Sequence, residues 1–189
     1  MAAESARPHF AGIDRCDSVV IDPHKWLFAP FDCCALLYRR PEVARLAHAQ
    51  HASYLDPINA GSEWNPTDYG HFLTRRARGL PFWFSLAVHG TRAYSEAVER
   101  TLEVTRAGAV LVDAAPHLDL IMDPVLSVLA FRRIGWEQAD YDAWSVRLME
   151  DGTAFVLPTQ VDGEPALRIC IVNPLTTVDD IDMILDSLA

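Results

Sequence analysis

The hydrophobic rhythm of this chain changes at residue 81, and the change limits the folds open to it. From Pro81, the residues Trp83, Leu86, Ala87, Gly90, Tyr94, Ala97 and Val98 recur at three- and four-residue steps. That is the stripe of an amphipathic helix, continuing through Leu102 and the 107–111 region, with a bend expected at Gly90. Beyond it the pattern shortens. Leu118 to Met122 and Ser127 to Phe131 flank Asp123-Pro124 and predict a hairpin, and Trp136 to Glu150 predicts a helix that Gly152 ends. Ala154 to Leu157 and Leu167 to Val172 predict strands about a Val161-Asp162-Gly163 turn. Thr177 with Asp180 forms a capping box, and Ile181, Ile184, Leu185 and Leu188 give the last helix a buried stripe. Helix, two strands, helix, two strands, helix is the order of a small antiparallel sheet with helices over one face.

The residues before this region follow other rules. Ser18 to Ile21 is a short β-branched run stopped by Pro23, which predicts a buried strand ending in a constrained turn. Cys33 to Tyr38 predicts an adjacent strand, and Pro41 opens a short helix through His48. Residues 49–74 have no sustained period and contain Pro57, Gly61, Pro66 and Gly70. A loop that long inside a compact domain points to a lid or binding segment. The expected division is therefore residues 1–84 and residues 85–189, the second a small α+β domain.

Composition narrows the function. Half of the 189 residues are hydrophobic, enough for a real core. The 26 acidic residues against 16 basic ones, a net charge of −10, argue against sequence-independent contacts with nucleic-acid phosphates or an anionic membrane. No segment approaches the ~20 apolar residues of a membrane span, and residues 1–10 lack the basic cap and apolar run of a signal peptide. Cys16, Cys33, Cys34 and Cys170 have no zinc or redox spacing and are expected to be reduced and mostly buried, as in a cytoplasmic protein. His48, His51 and His71 share the loop region without a fourth partner, so no metal is expected.

The chemistry-bearing string is Asp22-Pro23-His24-Lys25-Trp26. A lysine at the end of a buried strand, beside an imidazole and an indole, is expected to be poorly hydrated, which favours the neutral amine that attacks an aldehyde. The bland alternative is a surface lysine reaching out from a strand end. Asp17 to Trp26, followed by Phe31-Asp32-Cys33-Cys34-Ala35, resembles the cofactor-lysine region of the group II pyridoxal-phosphate-dependent amino-acid decarboxylases. Tyr54-Leu55, Arg75-Arg76-Ala77-Arg78 and Leu167-Arg168-Ile169-Cys170 fall in that family's order, so the likeness covers nearly the whole chain. Pro81 departs from it, where the family commonly has lysine.

The resemblance implies an α/β fold: the C-terminal part of a fold type I, PLP-dependent transferase architecture, with the end of the large-domain sheet in residues 1–84. It implies Lys25 as the residue holding pyridoxal 5'-phosphate as a Schiff base, and His24 beside the cofactor or supporting the turn. It implies Tyr54, on the long loop, as a proton donor after carbon dioxide leaves. Arg76 or Arg78 is expected to pair with carboxylates where the two domains meet, rather than to bind an anion. Only 24 residues precede Lys25, so the family's carboxylate for the pyridine nitrogen, its phosphate loop and its stacking histidine are expected upstream of Met1. The implied partners are an amino-acid substrate and either a homodimer mate or an N-terminal partner chain. Decarboxylation of an L-amino acid and a non-catalytic fragment or split subunit both remain open.

Overall fold

The computed structural model describes residues 3–50, 53, 54 and 64–189. They divide into two units, one of Ala11–Val88 and one of Met1–Phe10 with His89–Ala189.

In the Ala11–Val88 unit, strands β1 (Ser18–Ile21) and β2 (Ala35–Tyr38) pair antiparallel, with Val19 opposite Leu37 and Val20 opposite Leu36. The single-turn helix α1 (Pro23–Trp26) sits in the connection, with proline at its first position, where no intrahelical N–H is required. Helix α2 (Pro41–His48) starts the same way and ends where the sequence predicts. Its Arg45 donates from Nε to Asp68 Oδ2 at 2.8 Å. Asp68 is buried in a short 3₁₀ turn, Pro66–Tyr69, whose first N–H groups are capped by Asn65 accepting from Thr67 N. A buried carboxylate must be paired, so this contact fastens the end of the long loop to α2. β1 departs from expectation: Val20 is 62% exposed, and Ile21, Leu36 and Leu37 are also exposed. A two-stranded ribbon has no layer of its own to cover either face, so apolar strand sequence alone does not bury it.

The helical run α3 (Gly79–Ala114) is broken at Gly90, where φ is 73° and ψ 161°, a conformation essentially reserved to glycine. The expected bend is thus a break in the helix.

In the other unit, strands β3 (Leu118–Leu120), β4 (Val128–Arg133), β5 (Pro158–Val161) and β6 (Glu164–Cys170) form an antiparallel sheet in the order β3-β4-β6-β5. Register pairs Leu129 with Ile169 and Phe131 with Leu167, placing these buried residues on one face, while Ala130 pairs with exposed Arg168 on the other. Val104 and Val112 of α3 join this core, with Trp144 of α4 (Gln138–Glu150) and Ile181 and Leu185 of α5 (Val178–Asp186). A Cβ on Gly108 would lie 3.1 Å from Leu129 Cδ2 and 3.2 Å from Ile181 Cγ2, so the missing side chain lets α3 approach the sheet and α5. Both α4 and α5 start with reciprocal capping boxes, Glu137 with Asp140 and Thr177 with Asp180.

Residues 154–157 are not the predicted strand; β5 begins at Pro158. Asp162 and Gly163 both have positive φ, 55° and 82°, the two-residue turn that suits hairpin twist. That turn makes Val161 and Glu164 partners and carries the ladder back to Pro158, on the sheet's edge, where proline is tolerated. The first residues also belong here: Ala3 and Ala6 are buried, and Ser5 donates through its N–H and hydroxyl to Glu99 at 2.9 and 2.5 Å.

Candidate active site

Asp22 follows the last residue of β1 as the N-cap of α1, Pro23 starts the helical turn, and Lys25 follows three residues after Asp22. One helical turn brings the two side chains together. Lys25 Nζ donates to Asp22 Oδ2 at 2.6 Å, and that hydrogen bond is the main reason the Asp22 carboxyl is held below its ordinary range. The Cys34 thiol is pushed up, first by partial desolvation and then by its hydrogen bond to Asp22. Asp22, Lys25 and Cys34 therefore form one cluster at the β1–β2 connection.

Lys25 is the chain's only lysine; the other fifteen basic residues are arginine. The poorly hydrated setting expected for it is not found. Its side chain is 66% exposed and ion-paired, because the exposed β1–β2 ribbon lays no apolar layer over the strand end. The cysteines depart similarly: all four are free, and only Cys33 is buried.

His24 packs into the turn. Its Nδ1 lies 2.5 Å from the Cys33 carbonyl oxygen and 3.1 Å from the Cys33 nitrogen, and its ring meets Phe31 edge-on at 5.2 Å. His24 thus ties α1 to the residues entering β2. It also lines a cavity of about 790 Å³ within the Ala11–Val88 unit, together with Asp32, His48, His71 and Arg75, Arg76 and Arg78. Lys25 and Tyr54 are not among that cavity's lining residues, and Tyr54 is 69% exposed. The structure therefore brings His24, but neither Lys25 nor Tyr54, to the cavity. His48 Nε2 lies in hydrogen-bond contact with the Tyr38 hydroxyl at 3.0 Å, and its ring meets the His71 ring edge-on; His51 lies outside the described residues. Among the described residues no cluster of metal-ligating side chains occurs.

Arg76 and Arg78 do pair with a carboxylate, but it is Asp32 of the same unit, at 3.4 and 3.0 Å. Sequence reasoning missed Asp22 and Asp32 as partners of cationic residues. For Asp22 the three-residue step to Lys25 is a readable signal, hidden by treating Lys25 as the end of a strand rather than part of a helical turn. The link from Asp32 to Arg76 spans 44 residues and has no local signal.

The solved structures show where such a fold occurs. Oryza sativa TDC with PLP and tryptamine superposes with a TM-score of 0.85 at 22% identity, covering 98% of this chain and 41% of that one. Mouse CSAD in apo form gives 0.81 at 21%, covering 99% and 42%. The architecture is thus that of part of an α/β fold type I protein. L-2,4-diaminobutyrate decarboxylase of Rhizobium meliloti (strain 1021) is 31% identical over 190 residues, 96% of this chain and 38% of that protein. The aromatic-L-amino-acid decarboxylase of Bacillus atrophaeus is 27% identical over 187 residues, 94% of this chain and 39% of that protein. This chain accordingly spans about two fifths of the length of these relatives. Residues 1–134 match the pyridoxal-dependent decarboxylase conserved domain, and the chain belongs to that family.

Proposed function

We propose that Lys25 is the amine that condenses with the aldehyde of pyridoxal 5'-phosphate, and that the protein acts in the decarboxylation of an L-amino acid. The observation that carries the reading is a sole lysine, in Asp-Pro-His-Lys-Trp, on a helical turn at a strand end with its amine open to approach. That amine suits an aldehyde cofactor, which when bound supplies a conjugated ring to accept the electrons released as carbon dioxide leaves. This chain's residues would do the positioning. Asp22 holds Nζ by the 2.6 Å contact, and His24 braces the turn through Cys33. Tyr54, on the long loop, is proposed as the proton donor to the product carbon, its loop closing over the site.

A second reading, a non-catalytic or split subunit that joins a partner chain, is favoured by one observation. The β1–β2 ribbon next to Lys25 carries exposed apolar residues on both faces. Both readings expect those faces to be covered in an assembly, by a second copy or by a chain corresponding to the remaining length of the relatives.

The test uses the chain alone and mixed with such a partner. Each is incubated with pyridoxal 5'-phosphate, reduced with borohydride and mapped. Label at Lys25, absent from Lys25→Ala, is expected; label confined to the α-amine in both mixtures would overturn the assignment. Tyr54→Phe is expected to leave the Lys25 label intact and slow amine production by about 10²-fold. Release of carbon dioxide by the assembly excludes the non-catalytic reading.

A further inference from the structure

We infer that the cavity of the Ala11–Val88 unit is a binding site for a small organic oxyanion, a carboxylate or a phosphate ester, with Arg75 as its principal cation. The inference does not depend on the role proposed for Lys25, which is not among the lining residues.

The distribution of charge comes first. The chain has ten more acidic than basic residues, yet within Ala11–Val88 the counts are equal: eight acidic and eight basic residues, read from the sequence. Three of those eight arginine and lysine residues converge on one cavity, which three histidines also line and which only one carboxylate, Asp32, enters. Asp32 is already engaged by two guanidinium groups, those of Arg76 and Arg78. Two cations sharing one carboxylate leave a positive charge over. Arg75 adds another, since it has no ion-pair partner among the described residues.

Local geometry suits those charges to a ligand. Gly70 has an extended backbone, open to any residue, but a Cβ there would sit 3.2 Å from Arg75 Nη1. Its absence leaves room for the guanidinium beside Gly70, in the cavity wall. The Arg78 guanidinium is set over the Phe72 ring at 6.0 Å, which keeps it in place for Asp32. Arg76 is the looser partner, 82% exposed at 3.4 Å, so it can leave Asp32 for an incoming anion. A planar guanidinium fork matches a carboxylate or phosphate through two parallel hydrogen bonds. The cavity, at about 790 Å³, has room for more than an inorganic ion, and Leu36, Tyr69 and Phe72 give it apolar wall for the organic part.

The whole chain is titrated with inorganic phosphate and, separately, with acetate, each at fixed ionic strength against chloride, while the arginine Nε–H signals are followed by NMR. Saturable shifts with phosphate or acetate and none with chloride are expected. The stronger of the two identifies the ligand as a phosphate ester or a carboxylate. Arg75→Gln should weaken binding at least ~10-fold, Arg75→Lys, which keeps the charge but loses the fork, should fall between Arg75→Gln and the parent, and Arg100→Gln, in the other unit, should change nothing. No saturable response to either anion, an equal response to chloride, or unchanged binding in Arg75→Gln would overturn the site.

Discussion

Asp180 shows how one residue carries both a fold signal and a pH dependence. Its carboxylate accepts from the Thr177 N–H and hydroxyl, both at 2.8 Å, while its own N–H donates to Thr177 Oγ1 at 3.2 Å. The bond from the Thr177 backbone, then that from its side chain, holds the Asp180 carboxyl below the ordinary range. A carboxyl with a depressed value in the folded state adds stability that is whole above its unfolded value and is lost as pH falls through the folded one. The gap in denaturation midpoint between the parent and Asp180→Asn should therefore be constant from about pH 7 down to about pH 5 and close as acid protonates the carboxylate below about pH 4. A gap that widens on acidification would refute this account. Thr177→Ala, which removes the hydroxyl half of the box, should cost about 1 kcal/mol at neutral pH. Such a box is legible in sequence because its partners are three residues apart. The hydration of Lys25 was not legible, since it depends on what covers a strand end and that is tertiary.

At the scale of elements, α3 is the case where one residue decides geometry. A glycine at φ 73° and ψ 161° inside a helical run cannot be replaced by an L-residue without strain. No neighbour crowds the position, since a Cβ at Gly90 would find nothing within 4 Å. Gly90→Ala should thus lower stability by roughly 1–3 kcal/mol through the backbone alone, or else straighten α3. Chemical denaturation with circular dichroism separates the two outcomes, because straightening raises helical signal while strain lowers only the midpoint. A neutral Gly90→Ala with unchanged helical signal would rule out the break as described. The apolar stripe from Trp83 to Val98 revealed the helix and Gly90 revealed its weak point, but neither tells a bend from a break. The displaced start of β5 has a similar origin. Alternation alone allows the strand to begin at residue 154, whereas the ladder that the Asp162-Gly163 turn sets in register ends at Pro158, opposite Leu167, although β6 runs on to Cys170.

Across the molecule, the two units differ most in how much apolar surface they bury. The Met1–Phe10 and His89–Ala189 unit has a core cluster of 17 buried residues spread over α3, α4, α5 and the sheet. In Ala11–Val88 the buried hydrophobic side chains among the described residues are small ones such as Ala29, Cys33 and Ala44. Helix caps, turns and periodic stripes made the first unit readable, because its elements bury their apolar faces against one another and local pattern agrees with tertiary packing. The second unit was readable in its motif and strand pairing but not in its burial, because its apolar strand residues do not meet partners within the described chain. Each fully buried leucine- or phenylalanine-sized side chain is worth roughly 1.5–3 kcal/mol, so the disparity in core should appear as a disparity in local opening. Amides of Val128–Arg133 and Glu164–Cys170 should exchange with deuterium at least ~10³-fold more slowly than those of Ser18–Ile21 and Ala35–Tyr38. If a partner chain covers the β1–β2 ribbon, adding it should slow exchange in those two strands and leave the four-stranded sheet unchanged. Equal protection of both sheets in the isolated chain would mean that the ribbon is held by more than its own pairing, and would remove the reason for expecting a cover over Lys25.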